Sequence, residues 1–332
     1  MKILVIRCGA LGDLVYATSV IDALLLEYGE DTLIDFVCTP GSGKLLENDT
    51  RVHKVFNLKY KKVPTFFSTE KRKIINYSRK TTYDLLINFE YGKQFRDLLQ
   101  NINAKEKIGA QFNTIQSNKK INRGEAQKLF LKSKISQKNL DKAFPSVHTL
   151  DFEKINSKYN LNKEYIVFSP SNSHVNRSGV NHRAWENHSW IELTEQLAKE
   201  MQIVIVGTKS EEQFFNLLRP FPGNTLDLVG KNNIEELCSV IKYAKAVICT
   251  DSAVGHIAAA VNTPVYVLMG PNDPVTDSPY KSPDNNVNII SLQLDCSPCY
   301  NTKTMKECKN NICMKQITTE MVYNKIKSTK LF

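Results

Sequence analysis

Asp13 follows a short turn, Cys8-Gly9-Ala10-Leu11-Gly12, which separates an apolar run from a helical pattern. A carboxylate at that point has two uses. It can cap the helix by accepting from free backbone N–H groups. It can also serve as a general base on a hydroxyl that approaches over Gly9 and Gly12. Spacing alone favours the cap. The turn is only part of a Gly-x-Gly-x-x-Gly fingerprint, so it points weakly to a dinucleotide.

A second candidate site is Thr250-Asp251-Ser252-Ala253-Val254-Gly255-His256, between an apolar run and a small-residue helix. Free N–H groups at such a helix start attract anions. Ser252 adds a hydroxyl, and His256 is within reach of a ribose or phosphate. The plainer alternative, in which Asp251 and Ser252 cap the helix and His256 is a core residue, stays open. The loop from Pro170 to Trp190 carries Ser171, Ser173, Arg177, His182 and Arg183. A fixed Arg183 can stabilise a diphosphate leaving group. The alternative is a surface arginine beside two structural tryptophans, Trp185 and Trp190. Last, Cys296, Cys299, Cys308 and Cys313 follow the spacing C-x2-C-x8-C-x4-C. Thiolates at such spacings can hold structural zinc; reduced structural cysteines fit equally well, and neither reading implies catalysis.

These residues need elements to hold them. Strands are expected at Lys2–Arg7, Thr32–Cys38 and Tyr83–Phe89, with a helix from Leu14 to about Tyr28. That order is a βαβ unit with a parallel sheet. In the second half, strands are expected at Tyr165–Ser169, Gln202–Gly207, Leu226–Val229, Ala246–Cys249 and Val265–Leu268. Helices are expected at Asn187–Glu200, Ser210–Leu218, Ile234–Tyr243 and Gly255–Ala260. Residues 51–80 read as a surface loop with a basic amphipathic helix, and residues 116–160 as a domain end and linker. The pattern is α/β, with two doubly wound domains.

The chain has 332 residues, enough for two domains with cores of their own. The most apolar stretch, Ala246–Met269, is broken by Asp251, His256 and Pro264, and the N-terminal apolar run is too short for a secretory signal. A cytoplasmic protein is the expectation. Cys8, Cys38, Cys238 and Cys249 read as small buried hydrophobes. Residues 1–160 hold 27 Lys and Arg against 17 Asp and Glu, which accounts for the whole net charge of +10. Ten of the basic residues, Lys61, Lys62, Lys71 and Arg72 among them, fall in 51–80 against one acid, Glu70. A field of that sign favours anionic partners, although a solvated lysine-rich surface accounts for the total charge as well.

Taken together, several segments resemble the ADP-heptose:lipopolysaccharide heptosyltransferases of glycosyltransferase family 9. They are Arg7 to Asp13, Tyr83 to Phe89, Ala104 to Gly109, Arg183-Ala184-Trp185 with Trp190, Leu228-Val229-Gly230, and Asp251-Ser252 with His256. Thr263-Pro264, Gly270 to Pro274 and Cys296-Ser297-Pro298-Cys299 continue the match in order. The resemblance implies a GT-B fold, two Rossmann-like domains facing a central cleft. The expected division is 1–160 for the acceptor, 161–317 for the nucleotide sugar, and 318–332 as a helix crossing back to the first domain.

The implied reaction is inverting and metal-independent, with no cofactor required for catalysis. Asp13 would take the acceptor proton, and Arg183 with the helix start at Ser252 and Ala253 would hold departing ADP. Asp251, His256 and Ser171 would fix the donor, and Lys209 or Glu211 would contact its ribose. Gly9, Gly12, Lys61, Lys62 and Arg72 would meet an anionic glycolipid acceptor, with peripheral contact at the inner membrane and no nucleic acid partner. Two positions depart from the family pattern. Arg183 stands where lysine is common, which keeps the charge but changes its geometry. Ala253 stands where glycine is usual, and a Cβ there disfavours positive φ and crowds a phosphate.

The competing readings are a related transferase using another nucleotide hexose and a non-catalytic protein that binds anionic glycan or membrane. A nicotinamide dehydrogenase is less favoured. Its glycine loop is incomplete, and the nearest acid, Asp35, lies inside the second strand.

Overall fold

A computed structural model describes residues 1–113 and 120–329. The chain divides into two compact units, Met1–His148 and the remainder from Thr149. In the first unit, β1 (Lys2–Ile6), β2 (Leu33–Cys38), β3 (Lys54–Asn57), β4 (Tyr83–Asn88) and β5 (Ala104–Gly109) form one sheet. Every pairing is parallel, in the order β3-β2-β1-β4-β5. β1 is central, and its Ile3-Leu4-Val5-Ile6 run is wholly buried, as a strand covered on both faces requires. The helix Leu11–Tyr28 crosses from β1 to β2, buries most of its length, and ends at Gly29 with φ 89°. The Gly29 N–H closes the last turn on Leu25 O at 2.9 Å.

The second unit repeats the plan. β6 (Tyr165–Ser169), β7 (Gln202–Ile205), β8 (Thr225–Asp227), β9 (Ala246–Thr250), β10 (Val265–Leu268) and β11 (Val287–Ile290) lie in the order β11-β10-β9-β6-β7-β8. All pairings are again parallel. Both sheets therefore reverse direction beside their first strand, between β1 and β4 and between β6 and β9. Open α/β sheets bind ligands at the carboxyl ends of the strands at such a point. Trp185 and Trp190 are core residues of the second unit. Their rings meet edge to face at 4.9 Å, and Phe168 packs on Trp190.

Several expectations need correction. The division falls at 148/149 and not at 160/161, because the helix Phe152–Tyr159 belongs to the second unit, where Tyr159 Oη donates to Glu236 and Lys231. The supposed linker is not one. Residues 116–119 lie outside the described residues, but the helices Arg123–Leu129 and Gln137–Lys142 pack on the first helix. Ser136 N–H donates to Glu27 at 2.9 Å and Ser146 N–H to Thr18 Oγ1 at 3.0 Å.

The expected helix Ser210–Leu218 shrinks to a 3-10 turn, Lys209–Glu211, and one short helix, Glu212–Phe215. The last helix, Thr319–Lys327, buries Val322 and Ile326 in the second unit's core and sends Tyr323 to Glu200. Lys330 and the two residues after it lie outside the described residues. Among the described residues, no helix is long and apolar enough to cross a membrane.

Candidate functional site

In the first unit, the turn after β1 brings the charged residues together. Asp13 lies in the first turn of its helix and accepts the Ala10 N–H at 3.1 Å. This is half of a capping box, and Ala10 has no side chain with which to return it. The other carboxylate oxygen pairs with Arg7 Nη2 at 2.7 Å. Arg7 Nη1 donates to Phe89 O at 3.2 Å and lies 3.5 Å from Glu90 Oε1. Glu90 Oε1 accepts the Cys8 N–H at 2.7 Å, and Lys61 Nζ donates to Cys8 O at 2.8 Å. Gly9 is required by contact, since a Cβ there would lie 2.6 Å from Asp13 Oδ2. Gly12 is buried in the helix start.

Of the basic residues named from sequence, Lys61 therefore reaches the turn, while Lys62 and Arg72 are exposed. Lys71 is buried and donates to Gln94 O at 3.0 Å; burial holds its pKa below the usual lysine value. Asp35 is buried between Tyr83 Oη at 2.6 Å and His53 Nδ1 at 2.7 Å, so it is not free to hold a ribose.

In the second unit, the loop after β6 and the helix start after β9 converge. Thr250 Oγ1 donates to Ser171 O at 3.0 Å and ties the two together. Arg183 lies with its guanidinium 4.6 Å from the centre of the Tyr300 ring. Its Nη1 is 3.5 Å from Asp251 Oδ2 and 3.4 Å from Asp251 O. His174 tilts against the same tyrosine, with Nε2 3.5 Å from Tyr300 Oη. Burial, then Arg183, Arg177 and His182, push the His174 pKa down to about 4, so the ring is neutral near pH 7.

Ser252 is the N-cap of the helix Ala253–Ala260, and its side chain makes no cap bond. His256 lies one turn into that helix, half-buried. Ala253 is the first helical residue and does not carry a positive φ, so its Cβ brings no backbone strain. Among the buried polar atoms of the described residues that have no hydrogen-bond partner are Arg183 Nε and Asn172 Nδ2 here, and Asn272 Oδ1 after β10. Buried groups of that kind call for an explanation, and a ligand is one.

Lys209 lies elsewhere, on an open groove of about 730 Å³ shared with Arg177, Ser178 and Ser210. Gly230, at φ 70°, lets that segment close in, since a Cβ there would sit 3.1 Å from Lys209 Cα. Glu211 turns back to the Thr208 N–H at 2.7 Å as a cap. The four late cysteines line one cavity of about 290 Å³ with His182. All are free thiols, and Cys313 is pushed up to about 11 by burial and by Cys299, Cys296 and Cys308. Among the described residues, no three His, Cys, Asp or Glu side chains are already gathered to hold a metal ion.

Sequence reading missed Arg7 and Glu90 as members of the Asp13 cluster, and His174, Tyr300 and Asn172 as members of the second. Glu90 directly follows a quoted motif, but only the pairing of β1 with β4 sets it beside Cys8. Tyr300 directly follows a cysteine and gave no signal of its own.

Two parallel sheets wound in this order, with a carboxylate at one switch point and an arginine at the other, are the Rossmann-like pair of the GT-B class. The model of glycosyltransferase family 9 (heptosyltransferase) matches residues 102–310, and the chain belongs to that family. Lipopolysaccharide heptosyltransferase 3 of Escherichia coli is 22% identical over 303 residues, covering 82% of this chain and 84% of that protein. A glycosyl transferase family 9 structure from Veillonella parvula DSM 2008 superposes with a TM-score of 0.81 at 15% identity, covering 98% and 96% of the two chains. E. coli heptosyltransferase WaaC with ADP-2-deoxy-2-fluoro heptose gives a TM-score of 0.69 at 20% identity, covering 99% and 100%.

Proposed function

We propose that this protein moves a heptose from ADP-heptose to a hydroxyl of the lipopolysaccharide inner core, with inversion and without a catalytic metal. Asp13 takes the proton of the acceptor hydroxyl as its oxygen forms a bond to the anomeric carbon. The bond from that carbon to the β-phosphate oxygen breaks on the opposite side, and ADP leaves with the electron pair. Arg183 and the N–H groups at Ser252 and Ala253 meet the charge that grows on the diphosphate. A fixed guanidinium and a helix start supply the positive charge that a metal supplies elsewhere. Asp251 orients Arg183, and Ser171 and His256 contact the donor. Lys209 reaches its ribose from the neighbouring groove.

The acceptor is an anionic glycolipid met by Lys61, Lys62 and Arg72, on the cytoplasmic side of the inner membrane. The related heptosyltransferases, one of them seen with an ADP-heptose analogue, support the donor class.

The observation that carries the reading is the cluster around Arg183. It holds an arginine lying on an aromatic ring, a neutral buried histidine and orphaned polar atoms beside a helix start. Calorimetry with ADP, UDP, GDP and NAD tests it. Selective ADP binding is expected, weakened about 10- to 100-fold by Arg183→Ala, the scale of losing a charge-assisted pair. Preference for UDP or GDP would keep the transferase but discard heptose. Binding of none would remove the donor pocket.

A further inference from the structure

We infer that the segment carrying Tyr60, Phe66 and Phe67 docks the protein on an anionic lipid bilayer. The two phenylalanines enter the interface, and the lysines and arginines around them meet the headgroups. The membrane contact stands without the transfer reaction. Only its use, to bring the Asp13 turn to a lipid-anchored acceptor, rests on the reading above.

Between β3 and the helix Thr69–Thr81, three large aromatic side chains face solvent. Tyr60 is 57% exposed, Phe66 79% and Phe67 73%. Exposed apolar residues scattered singly are ordinary. These three fall in one short segment, and the rings of Phe66 and Phe67 meet edge to face at 5.1 Å. The 3-10 turn Thr65–Phe67 buries none of its residues, so neither ring belongs to a core. The backbone behind the rings is nonetheless fastened. Thr65 N–H donates to Asp97 Oδ2 at 3.2 Å and Phe67 N–H to Pro64 O at 3.0 Å. Ser68 Oγ caps the following helix by accepting the Lys71 N–H at 3.2 Å. Glu70 Oε2 accepts the N–H groups of Lys59 at 3.0 Å and Tyr60 at 3.4 Å. A turn held this way presents its rings before any partner arrives and loses little freedom on binding.

The charge around the rings identifies the partner. Lys59, Lys62, Arg72 and Lys73 are exposed along the same stretch of chain. Lys93 and Arg96 are exposed on the neighbouring stretch, which Gln94 and Asp97 tie to it through Lys71 and Thr65. The acids of the two stretches, Glu70 and Asp97, are engaged by the backbone N–H groups just named. The contact surface of a protein partner is depleted of charge around its apolar centre. Aromatic rings among cations suit a bilayer instead, where the rings lie at headgroup level and the cations meet lipid phosphates. The same segment also touches the Asp13 turn, since Lys61 Nζ donates to Cys8 O at 2.8 Å. Docking through Phe66 and Phe67 therefore sets that turn close to the membrane that carries the acceptor.

Vesicle flotation with the full chain tests this. Vesicles of phosphatidylglycerol and phosphatidylethanolamine should carry the protein, and vesicles of phosphatidylcholine alone should carry about tenfold less. Phe66→Ser combined with Phe67→Ser should lower the partition onto anionic vesicles about 100-fold, the scale of keeping two such side chains in water. Lys59→Ala combined with Lys73→Ala should lower it about tenfold, and by less at high salt. Phe66→Trp reports insertion directly. Its fluorescence should shift to the blue on anionic vesicles and be quenched by brominated acyl chains, which do not reach Trp185 and Trp190 in the protein core. Equal partition of the wild type and the double phenylalanine variant would overturn the docking segment, and so would an unshifted, unquenched signal from Phe66→Trp. A wild-type chain that stays off anionic vesicles would overturn the membrane contact, and dimers lost in the double variant would then assign the rings to a second copy of the chain. The assay uses neither nucleotide nor acceptor, so its outcome is separate from that of the ADP calorimetry.

Discussion

The carboxyl ends of β1 and β6 hold equivalent places in two sheets of the same winding, yet they are finished differently. At β1 the charges are already matched at short range. Arg7 pairs with Asp13 at 2.7 Å and bridges toward Glu90, which in turn takes the Cys8 N–H. At β6 the main charged contact is looser, Arg183 to Asp251 at 3.5 Å, and polar atoms of Arg183 and Asn172 are left over. An arrangement of the first kind holds one carboxylate still before any substrate arrives. An arrangement of the second kind keeps hydrogen-bonding capacity in reserve for an anion. Catalysis by positioned groups needs the former at the attacking side and the latter at the leaving side.

The comparison breaks most readily at Asp13. Asp13→Asn keeps an acceptor for the Ala10 N–H but cannot take a proton. We expect kcat to fall about 10²–10⁴-fold, the usual contribution of a positioned base, with ADP affinity unchanged by calorimetry. Normal turnover would reduce Asp13 to a helix cap and make the two switch points alike. A smaller effect is expected from Arg7→Met, about a tenfold loss in kcat with little change in KM, on the view that a held carboxylate reacts from fewer orientations. Arg7→Lys should recover part of it, since a single ammonium can replace one of the two anchors. Equal kinetics for the wild type and Arg7→Met would class the 2.7 Å pair with the many partly exposed ion pairs that contribute little.

The difference between the two sites was only partly legible in the sequence. Central strands announced themselves because β1, β6 and β9 are unbroken apolar runs. The edge strands β3, β5 and β11 did not, because Lys54-Val55-Phe56-Asn57, Ala104-Lys105-Glu106-Lys107 and Val287-Asn288 carry the polar residues that blunt a sheet edge. Asp13 and Asp251 stood out as candidates because each closely follows a strand in a short motif, and Arg183 because its loop carries the Arg183-Ala184-Trp185 motif. Their partners did not. Glu90 reaches Cys8 across 82 residues, and Tyr300 reaches Arg183 from a segment that no periodicity marks. Lys71 shows the opposite failure. It counted as surface charge in a basic run, but the amphipathic helix Thr69–Thr81 turns it inward onto Gln94.

The smallest effect concerns His174 and tests whether the second pocket is as dry and cationic as its geometry implies. The pKa of the ring is held down at about 4 in the folded chain, against an ordinary value near 6.5, by burial first and by Arg183, Arg177 and His182 after it. Between those two values the unfolded chain takes up a proton at this ring and the folded chain does not. Stability linked to His174 is therefore complete above pH 6.5 and is lost as the pH falls toward 4. Carboxylates titrate over part of the same range, so the informative quantity is the difference between two proteins. His174→Gln keeps a polar group facing Tyr300 and removes the titration. Its Tm should fall less between pH 7 and pH 5 than that of the wild type, by a few degrees. Parallel declines would mean that the folded ring charges freely, and the contrast between the two switch points would then rest on Arg183 alone.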